Sequence, residues 1–170
     1  MIVYVGIDNG VSGTIGWITA DGSQWCISRT ITFQYKDHHK KKGAVNRINR
    51  AGTARFITEA ARANKEKISS IRVFMERPFT GRFVNTTILN QRAYEAYLIV
   101  FEDLGVPYRV IDSKTWQKEL LPGVKSSPRL KAASKSLAVQ LFGLDVLDGL
   151  TKEHDCDGLL IAEWARRVKA

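Results

Sequence analysis

An α/β layered domain built on a mixed sheet is the fold class this sequence predicts, on three observations. The chain opens with "IVYVGID" (2–8), rich in β-branched residues and apolar at consecutive positions, as a strand covered on both faces must be. Two turn signals then fold the following segments back as an antiparallel opening. After residue 43, short apolar runs alternate with longer segments of helical periodicity, the pattern of helices packed on a sheet.

The elements follow in order. "NGVSGT" (9–14) is a turn, "IGWITA" (15–20) a second strand, "DGS" (21–23) a tight hairpin turn, and "QWCISRTITF" (24–33) a third strand. "KDHHKKKG" (36–43) is a basic loop. Residues 44–65 carry Val45, Ile48, Ala51, Ala54, Ile57 and Ala61 at helical spacing, which predicts the first helix. "SIRVFME" (70–76) is a fourth strand, followed by a loop, "RPFTGRFVN" (77–85). Residues 86–104 place Leu89, Ala93, Tyr97, Val100 and Leu104 on one face of a long helix. "VPYRVID" (106–112) is a fifth strand, 113–128 a short helical turn and loop, 129–142 a helix, and 154–168 the last helix. The expected order is βββαβαβαα, a five-stranded mixed sheet flanked by helices, in a single domain spanning 1–170.

The charge balance narrows the partner. Lys and Arg total 26 against 17 Asp and Glu, a formal charge of +9, and such an excess points first to a polyanion, nucleic acid above all. No basic amphipathic helix with a broad apolar face suggests a membrane surface, and no apolar run approaches a membrane span. "MIVYVGID" is too short and too soon interrupted by an acid to be a signal peptide. Two cysteines, Cys26 and Cys156, make no disulfide framework, so a reducing intracellular location is expected.

Against this positive background the acids at element ends stand out. Asp8 ends the first strand and Glu76 the fourth. One acid at a strand exit is ordinarily a solvated charge. Two acids ending two core strands project from one sheet edge if those strands are neighbours, and like charges held close call for a cation. Oxygen ligands select a hard ion such as magnesium or manganese. The last helix opens in "KEHDCDG", where Asp157 is either a helix-end charge or a ligand, and His154 shares its face if the helix begins by 154. Asp155 is either the cap or a further acid of the site. Acidic and imidazole groups converging on one sheet edge of a basic protein describe a two-metal nuclease site. A Gly-rich turn such as "GIDNGVSGT" can instead hold nucleotide phosphates, as in sugar kinases and actin-like ATPases, but those need two such domains.

"GIDNGVSGTIGW", "FMERPF" and "HDCDGLLIAEW" together resemble, in order and spacing, the RuvC family of Holliday junction resolvases, over nearly the whole chain. The resemblance implies an RNase H-like fold and a structure-selective, divalent-metal-dependent endonuclease that makes paired symmetric nicks in four-way DNA junctions during recombination or repair. It implies a site of Asp8, Glu76, His154 and Asp157, with Asp155 as the substitute for His154, holding two magnesium ions that manganese can replace. The Pro common after the first Asp is Asn9 here. The Trp in "DSKTWQKELLP" resembles phage and organelle branches of the family more than the bacterial housekeeping enzymes, so the expected location is cytoplasmic, that of a phage host included, with an organelle left open.

The DNA surface is expected around the site. Phe79, between Arg77 and Arg82, suits stacking on an unpaired base while phosphates are neutralised, and the family has an aromatic there that inserts at the junction centre. Packing beneath its loop is the alternative for Phe79. Lys118, Lys125, Arg129 and Lys131 would follow a duplex arm, and "KDHHKKKG" with Arg47 and Arg50 forms a further basic patch. Two symmetric nicks imply a two-fold homodimer, with helix 86–104 as its interface through Tyr94, Tyr97 and Phe101, unless those rings pack on the sheet. The rivals are another RNase H-like nuclease, acting on RNA–DNA hybrids or on branched DNA generally, and a non-catalytic nucleic-acid-binding protein on the same fold.

Overall fold

The computed structural model describes residues 1–36, 44–80, 83–124 and 127–170. Its strands are β1 (Val3–Ile7), β2 (Thr14–Thr19), β3 (Trp25–Arg29), β4 (Thr32–Lys36), β5 (Ala44–Ile48), β6 (Ile71–Glu76) and β7 (Tyr108–Ile111). Its helices are α1 (Arg50–Ala63), α2 (Val84–Leu104), α3 (Ser113–Leu120), α4 (Ser127–Phe142) and α5 (Asp157–Arg167). Among the described residues no helix is long and apolar enough to cross a membrane.

The main sheet runs β3-β2-β1-β6-β7. β1 pairs antiparallel with β2 and parallel with β6, and β7 extends the parallel half, so the sheet is mixed as expected. Every residue of β1 and β2 is buried, which explains why the first strand has no polar face. Val3, Val5 and Ile7 point to one side, where they pack with Ile57 of α1 and with Tyr97 and Phe101 of α2. Tyr4, Ile18 and Phe74 point to the other, against Leu159, Ile161 and Ala165 of α5 and Trp116 of α3. Side chains alternate along a strand, so Asp8 and Glu76 inherit the α5 side from Tyr4, Gly6 and Phe74.

α5 is sunk into that second layer, with every residue from Gly158 to Ala165 buried. It presses on β1 and β2 more closely than side chains permit, and glycines make this approach feasible. A Cβ on Gly6 would lie 2.2 Å from the Gly158 carbonyl oxygen, and one on Gly158 would lie 2.4 Å from the Thr14 carbonyl oxygen. Glu163, the buried acid of this helix, is held by Arg166 and Arg167 at 2.7 and 2.6 Å.

The segment between β3 and α1 departs from the expected pattern. The run 24–33 is two strands, because the chain leaves the β2 ladder at Thr30. There the Thr30 N–H donates to the Gly13 carbonyl at 3.0 Å, and the Ile31 carbonyl accepts from Asn49 N–H at 2.8 Å. Residues 44–48, expected as the start of a helix, are β5, paired antiparallel with β4 from Thr32↔Ile48 to Lys36↔Ala44. Val45 and Ile48 fit a helix by spacing, but a cross-strand partner decides the conformation. α1 begins at Arg50, where the Asn49 side chain accepts from Gly52 N–H at 2.9 Å. The basic loop falls largely on residues 37–43, outside the described ones.

Of the two readings of the α2 aromatics, packing on the sheet holds. Tyr97 and Phe101 are buried in the first core layer and Tyr94 is half-buried against it.

Candidate active site

Register builds the first half of the site. Ile7 pairs with Met75 in the parallel β1–β6 ladder, so the next residues, Asp8 and Glu76, leave the sheet side by side toward α5. They stand close enough that each acts on the other's ionisation. Gly13 backs the pair: a Cβ there would lie 2.7 Å from Asp8 Oδ2.

The second half comes from the start of α5. The Gly158 N–H donates to Thr14 Oγ1 of β2 at 3.0 Å, and the Asp157 N–H donates to Asp155 Oδ1 at 3.3 Å. Two of the orphan amides of the first helical turn are thus satisfied by side chains. Ser134 of α4 accepts from Cys156 N–H at 3.2 Å and pins the entry to the helix. The glycine seam brings this turn down onto Thr14, so Asp155 and Asp157 come within electrostatic reach of the strand-end acids.

Burial and neighbouring carboxylates disfavour the charged forms of Asp8, Glu76 and Asp157. Burial, then the charges of Glu76 and Asp155, hold the Asp8 carboxyl well above the usual carboxylate range. Burial and the Asp157 charge push Glu76 up to about 7, against the Trp116 indole N–H, which donates to Glu76 Oε1 at 3.3 Å. Asp157 is likewise raised by burial and by Asp155 and Asp8, with Ser134 and Lys131 opposing. Lys131 is the ammonium beside the cluster, 3.7 Å from Asp155 Oδ2 and 3.1 Å from the Glu153 carbonyl oxygen. Like charges in a desolvated cleft are stabilised by a cation or by protons.

A hard divalent cation fits this donor set. The ligands on offer are carboxylate oxygens, and the buried Asp157 Oδ1 has no hydrogen-bond partner among the described residues, nor has Asn9 Oδ1. No three His, Cys, Asp or Glu of the described residues are already gathered around one metal position.

His154 stands on the rim. Its Nδ1 shares a 2.6 Å hydrogen bond with Thr151 Oγ1, and its ring lines a groove with Ser12 and Arg29. Burial, then the Arg29 charge, lowers its pKa. The structure therefore brings together Asp8, Glu76, Asp155 and Asp157, and leaves His154 beside them.

Of the residues expected at DNA, Phe79 is 73% exposed, not tucked beneath its loop. Its carbonyl accepts from Asn90 Nδ2 at 3.1 Å. Arg77 is exposed and pairs with Asp112 at 3.4 Å, while Lys118, Arg129 and Lys131 are exposed on α3 and α4. Arg82 and Lys125 lie outside the described residues. Sequence reasoning missed three contributions. Trp116, noted only as a family marker, holds Glu76. Lys131, assigned to a duplex arm, is the counter-charge of Asp155. Phe83 and Val84, 76% and 71% exposed, are further exposed apolar side chains at the start of α2. A Trp one turn into a helix behind a strand was a usable signal for the first; nothing local marks the others.

No protein-family model and no curated protein matches this chain. Solved structures do. T. thermophilus RuvC in complex with a Holliday junction substrate superposes with a TM-score of 0.58 at 15% identity, over 99% of this chain and 96% of that one. A second Thermus thermophilus RuvC structure gives a TM-score of 0.53 at 15% identity, over 99% and 97%. The protein has the RNase H-like fold of RuvC.

Proposed function

We propose that this protein is a divalent-cation-dependent endonuclease that resolves four-way DNA junctions. The observation that carries the reading is the carboxylate cluster of Asp8, Glu76, Asp155 and Asp157, set into a chain of net charge +9. A negative pocket in a positive protein suits a cation-bridged phosphodiester. The RuvC likeness supports the choice of substrate, since one of the similar structures is a complex with a Holliday junction.

Asp8, Glu76 and Asp157 would hold two magnesium ions, with Asp155 rather than His154 as the fourth ligand, since Asp155 is buried and its charge acts on Asp8 and Asp157 while His154 stands on the rim. Bound there, the ions would supply Lewis-acid charge and lower the pKa of a water so that it can act as hydroxide near neutral pH, chemistry suited to hydrolysis that leaves 5′-phosphate and 3′-hydroxyl ends. Trp116 orients Glu76 and favours its charged form. Lys131 offsets part of the charge on Asp155 and keeps it turned inward. His154, on the rim, would orient a group of the substrate, its lowered pKa favouring the neutral imidazole near neutral pH. Exposed Phe79 would stack on an unpaired base at the branch, with Arg77 beside it.

Paired nicks call for a two-fold dimer. With Tyr97 and Phe101 committed to the core, the apolar residues free for a second copy are Val84 and Ile88, at the start of α2.

The test is cleavage of a synthetic four-way junction, a linear duplex of equal length and an RNA–DNA hybrid, by wild type and Asp8→Asn with magnesium. Junction-selective nicking by wild type, lost in Asp8→Asn while junction binding remains, is expected. Equal cutting of junction and duplex, or preference for the hybrid, overturns the reading.

A further inference from the structure

The β4–β5 hairpin takes no part in the chemistry above, yet it carries an unusual surface. Phe33 and Tyr35, on one side of β4, are 46% and 42% exposed. Arg47 pairs across the hairpin with Phe33, and its guanidinium carbon lies 4.1 Å from the Tyr35 ring centroid. Below them is a cavity of about 270 Å³, walled by Phe33, Asn46, Arg47, Arg50, Leu89 and Arg92. Three guanidinium groups thus share one small cavity, and no carboxylate lines it. Among the described residues none of the three pairs with an acid.

Such a cavity calls for an anion from outside, and an aromatic ring among guanidinium groups is the chemistry that takes a base and its phosphates together. Its position favours a nucleic-acid strand over an acidic peptide. Asn46 lines this cavity and also a groove of about 530 Å³ that passes Thr32, Thr30, Arg29 and Ser12 and ends at Glu153 and His154, the rim of the carboxylate cluster. Hydroxyl and guanidinium donors along such a path suit successive phosphates.

We propose that the groove and cavity hold an unpaired strand of the DNA substrate as it leaves the cutting site. Its phosphates lie on Arg29, Arg47, Arg50 and Arg92, and a base stacks on Phe33. This deepens the nuclease reading and rests on it for the strand's origin, but the binding itself needs no catalysis.

The experiment is fluorescence anisotropy in magnesium-free buffer with labelled oligothymidylate and a blunt duplex of equal length. Phe33→Ala should weaken oligothymidylate binding roughly five- to hundredfold and duplex binding by less than about twofold. Arg92→Gln, at an exposed position, should lower the slope of log affinity against log salt by about 0.7 for oligothymidylate. Unchanged oligothymidylate affinity and salt slope in both variants, or equal losses on both DNAs, overturns the proposal. So does displacement of the oligonucleotide by polyglutamate as readily as by unlabelled DNA. A wild type that binds oligothymidylate through Phe33 but never nicks junctions keeps the strand site and removes the resolvase reading. A wild type that nicks junctions while Phe33→Ala binds normally does the reverse.

Discussion

The carboxylate cluster and the β4–β5 hairpin are opposite solutions to placing charge. The cluster is negative, half-buried and assembled from three distant parts of the chain, the ends of β1 and β6 and the start of α5. The hairpin is positive, exposed and formed by two strands close in sequence. The first is costly in isolation, since desolvated like charges repel. The second is cheap, since water screens it. The acids have one ammonium beside them, Lys131, and among the described residues Arg47, Arg50 and Arg92 pair with no acid. On the reading proposed above, a phosphodiester strand bridged by divalent ions would satisfy both at once, and the two regions would form one substrate surface.

The largest effect that separates the regions is expected from Asp8→Asn, which removes one carboxylate of the proposed ligand set and leaves the basic surface intact. Magnesium-dependent junction nicking should fall about a thousandfold or more, with junction affinity within about twofold. Nicking at the wild-type rate would show that the cluster is a structural feature, leaving only the binding surface.

Next is the glycine seam that assembles the cluster and has no counterpart in the hairpin. Gly6→Val puts methyl groups where even a Cβ meets Gly158 O at 2.2 Å, and should cost roughly 3 kcal/mol, read as a loss of about 6–12 °C in Tm. An unchanged Tm would mean that α5 can stand off the sheet, and the cluster with it.

Proton linkage gives the third test. Glu76 has a folded pKa of about 7, above its ordinary 4.5, so the folded protein binds the extra proton and stability falls as pH rises through that window. Asp8 and Asp157, also raised, act in the same direction. In EDTA the unfolding free energy should drop by on the order of 3 kcal/mol between pH 5 and pH 8, by about this window. Magnesium should restore most of the loss at pH 8 and little at pH 5. Stabilisation by magnesium that is equal at both pH values would contradict a cluster that exchanges protons for cations.

The smallest effect is Trp116→Phe, which keeps the ring in the core and deletes the donor to Glu76. The acid limb of the pH–rate profile for nicking should move upward by roughly half a unit to one unit, with little change in the plateau. A lower plateau with an unmoved limb would make Trp116 a packing residue alone.

Much of this was legible before any coordinates. The both-sided apolarity of residues 2–8 marks a central strand, and strand alternation carries Asp8 and Glu76 to one face once β1 and β6 are neighbours. The hairpin was not legible. Val45 and Ile48 are three apart, a spacing that a helix and an irregularly buried strand share, and only pairing with residues 32–36 decides between them. Helical spacing also paired His154 with Asp157, but α5 starts at Asp157, so the spacing rule does not reach back to 154. Asp155 is buried, its carboxylate accepting from the Asp157 N–H and lying 3.7 Å from Lys131, two contacts that no periodicity encodes.

By itself the sequence determined which residues could carry charge into a site, which segments had to be buried, and an excess of positive charge that suits a polyanion, because composition and local periodicity act over a few residues. Tertiary structure alone decided which acids meet, that Tyr97 and Phe101 are spent on the core, and that a second basic surface faces the groove from the site. Those outcomes depend on close approach between segments far apart in the chain, and burial changes the energy of a charge by an amount that no local pattern records.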